Sequence, residues 1–458
     1  MDTRRSFIKK SFAASSLVGM GLTDSASHEK ILETVASIPK ARGESVMGLR
    51  VDPIDEVRVG LIGLGMRGSD HIWLHDAVFP KSKIVAVCDI RQEMVDRVVE
   101  RLKNGNKQKP DTYAGKEDSW KALVERDDLD LIIISTPWDL HAPMAKYSML
   151  QGKHVGVEVP MAMTVGELWD LVNTAEETQK NCMMMENVCY GDEELWILNM
   201  AQEGVFGELT YGEAAYNHSL DQFFFQHFYD NWREKQHLIR DGNLYPTHGL
   251  GPVAQYMNIL RGDNFEHLVS MSTKSRGMSI LAEELGAKEF VDKDFKHGDM
   301  NNSLIKTHEE KTILLQHDVV TPRPYTRKNV LAGTLAYHEG YPSRLSVKGM
   351  EHHQFLSDEK YDEMRSRYKH WIWKNVEEDA KRNQNVHGSM DYLMVNRLID
   401  CLNNGWPVDQ DVYDGAAWSI VTPLSEISVQ LGNVPIQVPD FTRGRWKEKR
   451  KLPLQEFH

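Results

Sequence analysis

The chain has 458 residues, 41% hydrophobic and 26% charged, a globular composition that excludes a disordered or collagen-like protein and predicts two domains. Its 54 basic and 67 acidic side chains give a net charge of −13, which disfavours nucleic acid and anionic membranes as main partners. Four cysteines without a CxxC pair exclude a disulfide-dense scaffold. The sequence has no run of 18 apolar residues, so no membrane-spanning segment is predicted. A small-molecule site is expected.

The beginning of the chain has the features of an export signal. It starts MDTRRSFIKK, and a weakly apolar run from Phe12 to Leu22 is followed by small residues. Arg4 and Arg5 in T-R-R-S-F-I-K resemble the twin-arginine signal of proteins exported in the folded state; a disordered basic tail is the alternative. We therefore expect residues 1–52 to be signal and linker, the protein to be periplasmic or extracellular, and a cofactor to be bound tightly before export.

A strand and a glycine-rich turn come next. VRVGLIGLGMRG, residues 57–68, reads as a buried strand that ends in G-x-G-x-x-G, with Gly63, Gly65 and Gly68. The first glycine permits a tight turn, the second lets the backbone approach a pyrophosphate, and the third lets the following helix pack against the sheet. The turn therefore predicts a dinucleotide site.

A second strand, KIVAVCD, ends at Asp89, 21 residues after Gly68. An acid at this place accepts both ribose hydroxyls and repels a 2′-phosphate, which favours NAD over NADP. Arg91 lies nearby and would also suit the phosphorylated cofactor.

Two further strands, DLDLIIISTP and HVGVEVP, alternate with helical segments. Such alternation predicts βαβ units and a parallel sheet with its ligand at the carboxyl ends of the strands. We expect the loops 136–141, 158–160 and 187–190 to open onto the nicotinamide end of the cofactor.

Together these segments resemble the Gfo/Idh/MocA oxidoreductases. The glycine turn, Asp89, S-T-P-x-x-x-H and Q-G-K-H-V-x-x-E-x-P match closely, and DGNLYPTH and PVDQDVYDGAAWSIVTPLSEIS match more loosely. The resemblance implies an α/β protein: a doubly wound Rossmann domain for NAD over residues 53–187, then a substrate-binding α+β domain with a mostly antiparallel open sheet over residues 188–458. Homo-oligomers could form through that second sheet.

Two polar groups of the superfamily's dehydrogenases are missing. The E-K-P segment is Glu158-Val159-Pro160 here, and Val159 can neither give nor take a proton. The aspartate four residues before the family histidine is Leu244, while His248 is retained. Simple alcohol oxidation by the usual arrangement is therefore disfavoured.

A narrower resemblance accounts for this pattern. MRG, STPWDLH, GVEVP, MENVCY, YPTHGLGP, TPRPY and MDYLMVNRLIDC together resemble glycoside hydrolase family 109, NAD-dependent glycosidases with α-N-acetylgalactosaminidase as the founding activity. The resemblance implies retaining hydrolysis of terminal α-linked N-acetylgalactosamine, or of a related hexosamine or galactose, with tightly bound NAD that is not consumed. A hydride leaves C3, a base removes the C2 proton, the aglycone is eliminated, water adds and the hydride returns, so paired carboxylates are not needed.

The same resemblance implies the site residues. Tyr190 is the implied base, whose pKa must fall from about 10 towards neutrality, and His248 is its partner, with the assignment of the two protons left open. Implied cofactor contacts are Gly63, Gly65, Met66, Arg67, Gly68, Asp89, Trp138, Asp139, Leu140, His141, Glu158, Val159 and Asn187. Implied substrate contacts are Tyr216, Arg233, Tyr245, Pro246, Thr247, His248 and Tyr325. Ordinary packing is the alternative for the tyrosines and for Trp138.

Two other functions stay open. An exported NAD(P)-dependent sugar oxidoreductase is disfavoured by Val159, and a catalytically silent sugar- or nucleotide-binding sensor is disfavoured by the retained Tyr190, Arg233 and His248. The exact sugar and anomer are also open, because residues 219–237 could redirect the pocket.

The aromatic insert DQFFFQHFYDNWREKQH, residues 221–237, is expected to line or roof the site, with an excursion of the core as the alternative. His352 and His353 lack the spacing of metal ligands, so no metal is predicted.

Overall fold

The computed structural model describes residues 25–104, 109–375 and 389–458. The strands within these residues are β1 Val57–Ile62, β2 Ser82–Asp89, β3 Asp111–Ala114, β4 Leu131–Ile134, β5 His154–Val157, β6 Cys182–Met184, β7 Leu209–Asn217, β8 Phe265–Ser272, β9 Asn301–Thr307, β10 Thr312–Asp318, β11 Val330–Gly333, β12 Ala336–Glu339, β13 Arg344–Val347 and β14 Ile436–Gln437. The helices are α1 Ser25–Ala36, α2 Met66–Ala77, α3 Gln92–Asn104, α4 Ser119–Val124, α5 Trp138–Leu150, α6 Val165–Thr178, α7 Asp192–Gln202, α8 Trp232–Ile239, α9 Thr247–Tyr256, α10 Gly277–Glu284, α11 Asp358–Arg367, α12 Met390–Asn404, α13 Val412–Ser419, α14 Val421–Gln430 and α15 Pro453–Glu456. Short 3₁₀ turns cover Asn187–Tyr190, Tyr229–Asn231 and Arg445–Lys447.

The first sheet is parallel and has the strand order β3-β2-β1-β4-β5-β6. Its central strands are short apolar runs, and every residue of β4 and β5 is buried, as expected where helices cover both faces. The strand order reverses between β1 and β4, the place where doubly wound sheets bind ligands beyond the carboxyl ends of their strands. The prediction of a Rossmann-type parallel sheet is confirmed.

The second sheet is mixed and has the order β13-β12-β11-β7-β10-β9-β8-β14. β7 and β10 run parallel, and the other pairs are antiparallel. Burial alternates along β9, so one face of the sheet packs inward while the other faces outward. Helices α9 and α14 pack on β7 and β8. The predicted mostly antiparallel second sheet is confirmed.

The second half of the chain returns to the first sheet through α12. This helix packs against α2, β1 and the 3₁₀ turn Asn187–Tyr190. Leu398 of α12 lies so close to Gly156 of β5 that a Cβ on the glycine would be 3.4 Å from it. The boundary expected at residue 187 therefore separates the two sheets. It does not separate the helices that cover them, because α12 of the second half packs on the first sheet.

The described part of the leader region is packed on the fold. Val35 and Val46 are buried in the main core, and the Ser45 hydroxyl lies 3.0 Å from the Tyr413 hydroxyl. A Cβ on Gly43 would lie 2.1 Å from the carbonyl oxygen of Glu176. The described part of the segment expected to be signal and linker therefore packs beside α6 and α13.

The twin-arginine segment lies outside the described residues. Among the residues that are described, none of the helices is long and apolar enough to cross a membrane.

Candidate functional site

The turn after β1 has the geometry that a dinucleotide pyrophosphate requires. Gly63 has a φ of +85°, and a Cβ there would lie 2.6 Å from the carbonyl oxygen of Ser135. A Cβ on Gly68 would lie 1.8 Å from the carbonyl oxygen of Gly63, so a larger residue would push α2 away. Gly65 caps α2 without a side-chain hydrogen bond, and Met66 after it is exposed. The first amides of α2 are thus available to phosphate, and the residues fit NAD.

Asp89 is fixed beside this turn at the end of β2. Its Oδ2 accepts a hydrogen bond from the backbone of Leu64 at 2.7 Å, and its Oδ1 accepts one from the backbone of Arg91 at 2.9 Å. The Arg91 Nε lies 3.3 Å from the same carboxylate, and its Nη2 lies 3.7 Å from the place of a Cβ on Gly65. Asp89 is positioned for the adenosine ribose, and Arg91 reaches over the turn.

Arg67 is held by two carboxylates from distant parts of the chain. Its Nε donates to Glu158 Oε1 and its Nη2 to Asp391 Oδ1, both at 2.7 Å. Burial alone would raise the pKa of Glu158, but Arg67 and His71 lower it to about 2. Asn187 donates to Asp391 at 2.8 Å, while its own Oδ1 is buried with no partner among the described residues. That oxygen can accept a hydrogen bond from a cofactor amide.

His141 joins the loops that follow β4 and β5. Its Nδ1 lies 2.8 Å from the carbonyl oxygen of Pro160, and its Nε2 lies 2.8 Å from that of Thr136. Burial lowers the pKa of His141, and the two carbonyls oppose this. The residue therefore positions both loops rather than presenting a free nitrogen. Val159 between them is buried and carries no polar side chain.

The other predicted residues of the first loop contact the second half of the chain. Trp138 is buried, with its ring centroid 5.0 Å from that of Trp232. Asp139 accepts hydrogen bonds from Gln236 Nε2 at 3.0 and 2.9 Å. Leu140 packs partly buried against the main core. Trp138 therefore packs against neighbouring aromatic side chains, which is the alternative to a cofactor contact that the sequence left open for it.

The aromatic residues predicted to contact substrate lie together near the end of β7. The ring centroid of Tyr216 is 4.7 Å from Tyr245, 5.4 Å from His248 and 6.4 Å from Tyr325. The Tyr216 hydroxyl lies 3.0 Å from His218 Nδ1. The structure therefore brings four predicted residues from β7, the residues just before α9, α9 itself and the segment after β10 into one cluster.

Arg233 is buried beside this cluster among aromatic rings. Its guanidinium carbon lies 4.9 Å from the ring of Tyr245, 5.0 Å from that of Trp138 and 5.4 Å from that of Phe228. Burial raises the pKa of Tyr216 to about 12, and Arg233 acts in the opposite direction. The Nε and Nη2 of Arg233 have no partner among the described residues. These donors fit hydroxyl or acetyl oxygens of a sugar.

His248 forms a pair with Glu186. Its Nδ1 lies 2.7 and 3.0 Å from the two carboxylate oxygens of Glu186, which is completely buried and also accepts from the backbone of Val188. A carboxylate only accepts here, so Nδ1 carries the hydrogen and Nε2 is left to exchange a proton. Glu186 is not among the residues predicted from sequence, although its place directly after a buried strand is a signal for a ligand-binding edge.

Tyr190, the predicted base, lies in the core. Its hydroxyl donates to Asp409 Oδ2 at 3.1 Å, and Arg397 of α12 donates to the same carboxylate at 2.8 and 2.9 Å. Burial and Asp409 raise the pKa of Tyr190 well above its usual value, against the effect of Arg397. The expected lowering is wrong, because the 3₁₀ turn after β6 directs this side chain towards α12 and Asp409.

A second cation that the sequence did not single out approaches Tyr325. Arg327 Nη1 donates to the Tyr325 hydroxyl at 2.9 Å, and its Nη2 donates to the buried Glu194 at 2.7 Å. Burial raises the pKa of Tyr325, and Arg327 lowers it. Arg327 thus orients the tyrosine.

The start of α9 carries the other predicted substrate residues. Pro246 immediately precedes α9, and the buried hydroxyl of Thr247 has no partner in the described structure. Leu244, in place of the family aspartate, packs with Trp138 and Met163. An apolar contact therefore occupies this position.

The aromatic insert contacts two different parts of the structure. Phe224 is buried in a separate hydrophobic cluster, whereas Phe228 and Trp232 contact Arg233 and Trp138. His352 and His353, whose ring centroids are 4.0 Å apart, are exposed. In the part of the chain that is described, no group of three or more His, Cys, Asp or Glu side chains is arranged to hold a metal ion.

Comparisons with known families match both parts of the chain. The model described as "Oxidoreductase family, NAD-binding Rossmann fold" matches residues 57–186, and the model described as "Glycosyl hydrolase 109, C-terminal domain" matches residues 190–448. A glycosyl hydrolase family 109 protein of Shewanella sp. (strain MR-4) is 45% identical over 98% of both chains. One of Shewanella amazonensis is 46% identical over 99% of both chains.

Solved structures share the fold at low identity. A levoglucosan dehydrogenase in complex with NADH aligns with a TM-score of 0.66 at 14% identity, covering 84% of this chain and all of the other. The WlbA dehydrogenase of Bordetella pertussis, in complex with NADH and UDP-GlcNAcA, aligns with a TM-score of 0.60 at 14% identity, covering 85% of this chain and 99% of the other.

Proposed function

The chain belongs to glycosyl hydrolase family 109, and from this we propose that it is an NAD-dependent glycosidase that removes terminal α-linked N-acetylgalactosamine with retention. The nicotinamide cofactor is bound tightly and is not consumed. The observation that carries the proposal is the combination of a complete dinucleotide turn with the His248–Glu186 pair and Tyr216, in a site where Val159 stands in place of the dehydrogenase lysine.

The glycine turn and Asp89 would hold NAD, which would supply the acceptor, and later the donor, of the hydride at C3 of the sugar, while the C3 hydroxyl would release its proton to solvent and later regain it. The resulting 3-ketone acidifies the proton on C2. His248 takes that proton through Nε2, since Glu186 holds its Nδ1 as the hydrogen-bond donor. The aglycone then leaves C1 by elimination with the proton that Tyr216 donates. Water adds to the unsaturated sugar: its hydroxyl bonds to C1, its proton restores the Tyr216 hydroxyl, and His248 returns the first proton to C2.

Tyr216 donates the proton that the leaving glycosidic oxygen needs. Burial raises the pKa of its hydroxyl to about 12, so it keeps its proton at neutral pH. Arg233 lies beside it with two unpartnered donors that suit the acetyl oxygen of N-acetylgalactosamine. Tyr245 and Tyr325 offer aromatic faces to the sugar ring.

The test is incubation of the purified protein, without added cofactor, with nitrophenyl α- and β-N-acetylgalactosaminides. We expect nitrophenol from the α-anomer without net NADH, and in D₂O one deuterium at C2 of the released sugar. Net NADH formed from free sugar would instead support the oxidoreductase. Sugar binding without either product would support the silent sensor, and release from the β-anomer alone would correct the proposed anomer.

Export by the twin-arginine route is also proposed, on the residues Arg4 and Arg5. We expect the native chain in the periplasmic or extracellular fraction of a bacterial host, and its Arg4→Lys, Arg5→Lys variant in the cytoplasm. Equal distribution of both forms would contradict this route.

A further inference from the structure

One segment of the aromatic insert contacts residues on either side of the glycine turn, and we call the space above that turn the groove. We call residues 228–232 the strap. At one end of it Tyr229 lies over the guanidinium of Arg91, whose carbon is 4.6 Å from the ring centroid. At the other end Trp232 packs edge-on against Trp138, with ring centroids 5.0 Å apart. The strap belongs to the second half of the chain, yet it contacts two loops of the first sheet.

The strand order places those two loops on opposite sides of the dinucleotide turn. Arg91 follows β2 and Trp138 follows β4, and both strands are direct neighbours of β1, whose carboxyl end carries Gly63–Gly68. A segment that contacts both loops therefore passes over the end of β1. In a doubly wound sheet this is where the pyrophosphate of a dinucleotide lies.

Arg91 fills the space between Tyr229 and the turn. Its Nε lies 3.3 Å from the Asp89 carboxylate, and its Nη2 lies 3.7 Å from the place of a Cβ on Gly65. The guanidinium thus reaches over the turn on the side of the adenosine ribose, at a place where it can bind phosphate or ribose oxygens. The ring of Tyr229 covers its other side.

The strap is held in a backbone conformation that unconstrained chains avoid. Asp230 and Asn231 have φ values of 53° and 47°, in the left-handed region that residues other than glycine adopt uncommonly. Lys235 pairs with Asp230 at 3.0 Å, and the backbone amide of Asn231 donates to the carbonyl of Phe228 at 2.9 Å. Tyr229 itself is 49% exposed, so its burial does not account for its position.

We infer that Tyr229 and Arg91 form a clasp that retains a dinucleotide diphosphate in this groove. Arg91 contacts the adenosine side of the ligand, Tyr229 holds Arg91 in place by a cation–π contact, and the strap blocks exit above the turn. The inference rests on the proposed tight binding of NAD and names the residues that produce it. NAD leaves only after the contact between Tyr229 and Arg91 opens.

The test measures release of NAD from the purified full-length protein. The holoprotein is loaded with radiolabelled NAD, excess unlabelled NAD is added, and retained label is followed over time. We expect Tyr229→Ala to release NAD at least about fivefold faster, the factor that corresponds to loss of one exposed cation–π contact of about 1 kcal/mol. Tyr229→Phe keeps the ring and should release at the native rate.

Trp73 provides a matched control. It is 53% exposed, and the guanidinium of Arg101 lies over its ring, but this pair is on α2 and α3 rather than over the groove. Trp73→Ala should therefore leave NAD release unchanged. Native release from Tyr229→Ala, or equally fast release from Trp73→Ala, would overturn the clasp. Failure of the unaltered protein to carry or bind NAD would overturn the cofactor proposal as well, which separates the two failures.

Discussion

At the scale of single residues, the His248–Glu186 pair has the clearest chemical role. Glu186 is completely buried, and its carboxylate accepts from both His248 and the backbone of Val188. A buried carboxylate bound to Nδ1 sets the tautomer of the imidazole and stabilises its charged form when it takes a proton. Glu186 is thus a positioning residue that acts through His248.

Replacement of Glu186 by glutamine tests this role. The amide has the same shape but can donate to Nδ1, which favours the other tautomer of His248. We expect kcat to fall about 100-fold or more, with KM and bound NAD little changed, and C2 deuterium exchange to fall in parallel. Glu176→Gln, an equally buried glutamate that binds Tyr413 and Arg443, is the control and should keep native kcat.

Tyr190→Phe gives the opposite expectation. Among the described residues, the hydroxyl of Tyr190 donates to Asp409, whose carboxylate remains paired with Arg397 when that hydroxyl is removed. We expect native kcat and a loss of about 1 kcal/mol in the free energy of unfolding, the value of one hydrogen bond, measured by urea denaturation. A kcat reduced by orders of magnitude in a folded variant would restore Tyr190 as the base.

At the scale of elements, one methyl group added at Gly68 tests the packing of α2 against the turn. Gly68→Ala would place a Cβ 1.8 Å from the carbonyl oxygen of Gly63, so α2 must move away from the phosphate position. We expect the purified variant to carry no NAD and to have a lower melting temperature.

Gly166 in α6 offers the matched control for that substitution. A Cβ there meets nothing within 4 Å, so Gly166→Ala should keep its NAD and gain about 0.5–1 kcal/mol from the lower backbone entropy of alanine. If Gly68→Ala retained NAD as fully as Gly166→Ala, the turn would not be the phosphate site.

Strands and helices could be predicted from sequence where a local pattern of residues determines them. The buried runs before Gly63 and Thr136 and the spacing of Asp89 sufficed for the parallel sheet. The return of α12 to that sheet was not predictable, because Asp391 meets Arg67 across 324 positions and no local pattern encodes such a pairing. The motif that contains both Glu186 and Tyr190 likewise did not reveal which of these two side chains faces the pocket, because no local pattern encodes that choice.

At the scale of the whole molecule, the two halves are joined at the site itself. Arg67 connects the dinucleotide turn to α12, Gln236 of α8 binds Asp139, and the strap contacts Arg91. Each contact lies beside the site proposed for the cofactor or for the sugar. Binding of NAD should therefore stabilise both halves together, because it adds contacts on each side of the same junction.

The molecule also buries several histidines in their neutral form, which sets its response to acid. Burial, with a smaller effect of His71, lowers the pKa of His75 to about 3, and burial lowers those of His154 and His338 to about 4. The unfolded chain has histidine pKa values near about 6.5. Between these values the unfolded state binds protons that the folded state does not, so stability falls as pH decreases from 6.5 towards 4.

Thermal unfolding across this pH range should show that fall, with each such histidine contributing on the order of 3 kcal/mol by pH 4. Neither ring nitrogen of His75 has a hydrogen-bond partner among the described residues, so His75→Leu removes a protonation site without breaking a bond and should flatten the decline. His352→Gln alters an exposed histidine and should leave the decline unchanged.

A pH dependence of His75→Leu identical to that of the native protein would mean that burial of this imidazole does not limit acid stability. The decline would then have to come from the other buried histidines, such as His154 and His338, because Glu158, with its pKa lowered to about 2, loses its stabilising contribution only below about pH 4.5.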